Sequence, residues 1–85
     1  MLQEVRLTKL READKPTHPN NIETGYVFRG MITEKPCVGQ QLHIYGEQGG
    51  ITSTIKEIIS ETEFRTHNSI FSFQKIKLTN INKNQ

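Results

Sequence analysis

The side chains that could carry catalysis are few and widely spaced. His18, His43 and His67 lie 25 and 24 residues apart with no carboxylate at ligand spacing, so a metal or acid–base site would need the fold to gather them. Each reads more simply as an isolated histidine. Cys37 follows Pro36 in a turn, and a nucleophilic thiol there would need an imidazole such as His43 beside it to take its proton. Glu57, Glu61 and Glu63 fall on a strand end and its turn, where water solvates them, and Gly49-Gly50 lacks the following lysine and helix of a phosphate loop. The sequence predicts no enzyme, no metal and no cofactor.

Binding chemistry is better represented. Thr52-Ser53-Thr54 sets two hydroxyls on one face of a strand, and Arg65-Thr66-His67-Asn68-Ser69 collects donors and acceptors at a strand end and turn. If neighbouring hairpins join them, Arg65, His67, Asn68, Ser69, Thr52 and Thr54 form a rim for a phosphorylated ligand, with Arg65 as the charged donor. Ordinary exposed threonines and ordinary turn chemistry would give the same letters. A nucleic-acid contact set would use Arg29, Lys75 and Lys77, with Arg65, against the backbone, and Tyr26, Tyr45 or Phe71 for stacking. The formal charge of +2 is small for a backbone reader, although the last 22 residues carry four bases and no acid.

The elements that must position these groups are strands. Ile, Val and Thr number 22 against six Leu and Ala, and Cβ-branched side chains suit a pleated surface. The first strand runs over 4–10 with Val5 and Leu7 inward. A long loop of 14 residues, 11–24, follows, broken by Pro16, Pro19, Asn20 and Asn21. The second strand, 26–33, sets Tyr26, Phe28, Gly30 and Ile32 on one face, and Gly30 marks a bend or the close approach of another backbone. Leu42 and Ile44 alternate inward along the third. The fourth, 51–59, holds Ile51, Ile55 and Ile59 in one phase; the fifth is 63–66; the last, 70–78, holds Phe71 and Phe73 in phase and implies a bulge near Gln74. The predicted architecture is all-β: a single domain over 1–79, a small Greek-key or SH3-like barrel of five to six strands, with a frayed polar tail at 80–85.

Eighty-five residues, 33% of them apolar, allow one small domain, and apolar runs of two or three residues exclude a membrane span or a secretory leader. One cysteine cannot close an internal disulfide, which predicts a reducing, cytoplasmic setting. Apolar residues on both faces of the predicted strands, such as Val27 and Met31 opposite Phe28 and Ile32, predict a homo-oligomer.

Residues 25–44 read Gly-Tyr-Val-Phe-Arg-Gly-Met-Ile-Thr-Glu-Lys-Pro-Cys-Val-Gly-Gln-Gln-Leu-His-Ile. The spacing of Gly25, Val27, Gly30 and Ile32, then Val38-Gly39, Leu42 and Ile44, resembles the opening of the second-domain β-barrel of translational GTPases of the elongation factor Tu type. That resemblance spans about a quarter of the chain and implies two strands and a tight turn of a small barrel; no P-loop accompanies it. The second half is similar to short single-barrel proteins of phages and mobile elements.

The expected function is therefore a non-enzymatic binding module of phage or mobile-element type that takes a partner protein or a small anionic ligand such as a nucleotide. The alternative is a nucleic-acid or ribosome-associated barrel of translation type.

Overall fold

The computed structural model describes residues 2–76. The tail expected at 80–85, the end of the expected last strand and Lys77 lie outside the described residues. Seven strands form: β1 (Gln3–Glu12), β2 (Val27–Ile32), β3 (His43–Gln48), β4 (Gly50–Ile51), β5 (Ile55–Ser60), β6 (Glu63–Thr66) and β7 (Ser69–Lys75). They make one curled antiparallel sheet in the order β4-β3-β2-β1-β7-β6-β5, with no helix among the described residues.

The alternation read in the sequence sets the inner face. Val5 and Leu7 of β1, Phe28 and Ile32 of β2, Leu42 and Ile44, Ile55, Phe64, Phe71 and Phe73 form one buried cluster. Phe71 lies at its middle, with ring centroids 6.1 Å from Phe28 and 5.6 Å from Phe64. Aromatic contacts at this range add to the stabilisation from apolar burial. All four phenylalanines are thus held in the interior.

Seven strands stand where five to six were expected, because the single strand expected over 51–59 is two. It breaks at Thr52, Ser53 and Thr54. Thr52 N donates to the Leu42 carbonyl at 2.9 Å, while its hydroxyl accepts from Leu42 N at 2.9 Å and donates to the Ser53 carbonyl. Two residues after Thr52 the Thr54 carbonyl accepts from His67 N at 2.9 Å, so the backbone changes partner from the β3 side to the β6 side. That change alters the phase: Ile55 is fully buried, whereas Ile51, Ile58 and Ile59 are exposed.

The break also curls the sheet. β4 and β5 are neighbours in sequence yet lie at opposite edges, so the chain between them draws the edges together. Gly39 N donates to the Ile55 carbonyl and Ile55 N to the Gln40 carbonyl, both at 2.8 Å. The remaining free edge of β5 carries Lys56 and Glu57 and two register shifts against β6, features that discourage pairing with another strand.

Two further boundaries differ from expectation. β1 runs on to Glu12, so the long connection covers 13–26 instead of 11–24. The irregularity expected near Gln74 lies on the partner strand, where Lys9 pairs with Phe71 and Arg11 with Ile70, leaving Leu10 as the extra residue. Placing the bulge on β1 leaves the inward phase of Phe71 and Phe73 intact.

Gly30 occupies a close approach between β2 and β3. A Cβ there would lie 2.2 Å from the Tyr45 carbonyl oxygen, beside the register shift between Arg29 and Met31. Gly30→Ala must displace backbone and is expected to destabilise the fold by about 1–3 kcal/mol, read as a lower urea midpoint at unchanged slope. A midpoint equal to the parent's would show that β3 can move aside.

Candidate functional site

The inward alternation of β1 places Val5, Leu7 and then Lys9 in the interior. The Lys9 side chain is 0% exposed. An ammonium in such a place costs several kcal/mol in lost hydration unless it is paired and hydrogen-bonded. Its partners come from its own strand and from the long connection: Nζ lies 2.6 Å from Glu12 Oε2 and donates to the Ile22 carbonyl. The other carboxylate oxygen of Glu12 accepts from Asn21 Nδ2 at 2.7 Å, and the same amide nitrogen reaches the Asn68 carbonyl at 2.8 Å and Ser69 Oγ at 3.1 Å.

The connection is held at both ends and in its middle. Gly25 N donates to the Lys9 carbonyl at 2.8 Å, and Ala13 N to the Asn68 carbonyl at 3.1 Å. Asn68 Oδ1 accepts from Thr17 N at 2.9 Å, Thr17 Oγ1 at 3.2 Å and His18 N at 3.3 Å. Ile22 packs against the core. The stretch read from sequence as an interruption is therefore a wall built over the β6–β7 turn.

Of the rim expected from sequence, the structure brings together three residues. Thr52, Asn68 and Ser69 line a hollow of about 260 Å³ under the long connection, with His18, Gln41 and Phe71. Thr52 and Ser69 are buried, and the polar groups of all three already serve protein partners. Arg65 leaves the sheet on the opposite face from its buried neighbours Phe64 and Thr66, and its Nε donates to Glu57 Oε1 at 3.2 Å. His67 is exposed, and Thr54 joins the set only through its carbonyl. No permanently charged cation lines this hollow.

The expected nucleic-acid contacts are also dispersed. Arg29 is on the outer face of β2, with Nε donating to Glu4 Oε2 at 3.1 Å. Tyr26 packs edge-on against Phe28 at 5.0 Å, and Lys75 is exposed at the end of β7. The histidines stay apart: His18 Nδ1 accepts from Asn20 N at 3.1 Å, His43 stacks on Tyr45, and His67 is on the β6–β7 turn. Cys37 is exposed and shares a shallow hollow with His43. Among the described residues no group of three or more His, Cys, Asp or Glu is placed to hold a metal ion.

A larger concavity gathers Arg6, Lys35 and Lys75, and of these cations the sequence reading singled out Lys75 alone. It opens on the side of the curled sheet away from the long connection and measures about 1000 Å³. Phe64 and Phe73 reach it from the core, and Ile58 adds a half-exposed apolar wall. Arg6 and Lys75 come from β1 and β7, Lys35 from the β2–β3 connection, Glu61 from the β5–β6 turn and Glu63 from the start of β6. The charges are thus segregated by element, cations on two walls and carboxylates on the third. The chain matches no known protein family, no curated protein and no solved structure. The cations of the concavity stand 29 and 40 residues apart in sequence, so only the β1–β7 pairing and the return of the β2–β3 connection make them neighbours. The available signal was phase: Arg6 is out of step with Val5 and Leu7.

The Lys9 contact, and after it the Asn21 amide, holds the Glu12 carboxyl below its ordinary value. A carboxyl depressed on folding contributes stability at neutral pH that is lost as pH falls from the ordinary glutamate range through the lower folded value. Glu12→Gln is expected to lower the Tm at pH 7, with the gap to the parent narrowing as pH falls through the acid range. A pH-independent gap would show that the charge of Glu12 is not what anchors Lys9.

Proposed function

We propose that this chain is a non-enzymatic binding module whose open side takes a small anionic ligand with a flat apolar part, of which a nucleotide is the type. The observation that carries the reading is the meeting of Arg6, Lys35 and Lys75 around a concavity lined by Phe64, Phe73 and Ile58. Ligand sites combine an apolar lining with a few polar groups that fix orientation, and this volume is in the range that accepts a small molecule. Phosphate oxygens on Arg6 and Lys75 would accept charge-assisted hydrogen bonds. Glu61 and Glu63 on the third wall repel an anion, which favours a ligand whose charged end lies toward β1 and β7.

The tying of Ile55 to Gly39 and Gln40 supports reading the curled sheet as a small barrel of the Greek-key or SH3-like kind. Such a sheet gives the rim a rigid base. The ligand-binding role expected of Arg65 passes in this proposal to Arg6 and Lys75, because Arg65 does not line the concavity and is engaged by Glu57.

Calorimetric titration with ATP, AMP and inorganic phosphate tests the reading. ATP and AMP are expected to bind, with phosphate alone weaker because it leaves the apolar lining unused. Replacing both Arg6 and Lys75 by Ala should weaken ATP binding by about tenfold or more, since each removes a hydrogen bond to a charged group. Both side chains are exposed, so the Tm should hold. An affinity for ATP unchanged in the double variant would remove the open side as the site.

A further inference from the structure

The outer face of β2 and β3 carries an aromatic surface that the concavity does not use. His43 and Tyr45 flank buried Ile44 on β3, so both side chains leave the sheet on the outside. Their rings stack with centroids 4.2 Å apart and planes 14° from parallel, and Tyr45 is 49% exposed. The ladder extends this surface, setting Met31 opposite Tyr45 and the exposed Ile51 opposite His43.

Cations border the ring pair on two sides. Arg29 precedes Met31 by two residues on the same face of β2, and its ladder partners are Arg6 on β1 and Gln48 on β3. Lys35 lines both the hollow at His43 and Tyr45 and the large concavity, so one side chain joins the two surfaces. Glu4 and Glu47 also belong to this outer face, and Glu4 is engaged by Arg29. Exposed flat rings in a hollow that Lys35 lines, together with Glu34, match a base joined to a phosphate on the lysine side. Every base has a face to stack, and a duplex conceals those faces whereas a single strand offers them.

We infer that this face binds single-stranded nucleic acid, with one base stacked on the Tyr45 and His43 rings, the next phosphate at Lys35 and the strand continuing into the concavity. The inference rests on the nucleotide reading of that concavity for the far end of the strand and on the ring pair for the near end.

Fluorescence anisotropy with a labelled deoxythymidine ten-mer, and competition by the thymidine mononucleotide, separates the two. The ten-mer should bind more tightly than the mononucleotide and weaken as salt rises. Tyr45→Ala should weaken the ten-mer by about tenfold, leave the mononucleotide unchanged, and be rescued by Tyr45→Phe, which keeps the ring. A ten-mer bound no more tightly than the mononucleotide, or equally well by Tyr45→Ala, overturns the inference and leaves the concavity reading intact. A ten-mer that binds through Tyr45 with no mononucleotide binding supports the stacking face and refutes the concavity. Failure of both probes overturns both and turns attention to a protein partner.

Discussion

One buried ammonium organises this protein. Lys9 occupies a position that the alternation of β1 assigns to an apolar side chain, and a charge in that place must be compensated locally. Glu12 and the Ile22 carbonyl supply the compensation, and Ile22 can do so only if the chain from 13 to 26 folds back over the β6–β7 turn. Asn21 and Asn68 then tie the Glu12 carboxylate, the Asn68 carbonyl and the Asn68 side-chain oxygen to partners in the loop and the turn beneath it. A long connection with few apolar residues acquires a fixed course because a cation inside the sheet requires its carbonyl.

The two sides of the curled sheet consequently differ. Where the connection lies, amides and hydroxyls are used by the protein itself and the hollow is small. On the other side a charged rim surrounds a concavity whose exposed apolar surface comes mainly from Ile58, with Phe64 and Phe73 buried behind it. Asymmetry of this kind follows from giving one side a lid built of the chain's own backbone.

Much of the sheet was legible because period-two alternation is a direct consequence of strand geometry. Val5 and Leu7, Leu42 and Ile44, and Phe71 and Phe73 declare their phase without help from the rest of the chain. The strand over 63–66 is placed to the residue by the turns on either side of it. The division of 51–59 was not legible, since Thr52 to Thr54 read as good strand formers and leave the ladder only because Thr52 is claimed by Leu42 beside β3 and Thr54 by His67 beside β6. Lys9 was hidden for a related reason: charge ordinarily marks a solvent position, and the partner that overrides this is 13 residues away. The candidate site was split by the same blindness to facing. Asn68 and Ser69 are adjacent to Arg65 and His67 in sequence, yet the strand turns the arginine away from the hollow that the other pair lines.

The sheet order places β1 between β2 and β7, so the first strand has the last described strand as a central neighbour. A chain built this way gains little from its early segments alone, because the pairing that closes the middle of the sheet spans most of the sequence. Loop closure over such a distance costs entropy before it is rewarded by contacts, which slows folding relative to locally connected topologies. Until β7 pairs, the β6–β7 turn on which Asn21 rests is not in place, and the ammonium of Lys9 stays hydrated. The β1–β7 pairing therefore governs the middle of the sheet, because β2 and β6 are joined only through those two strands.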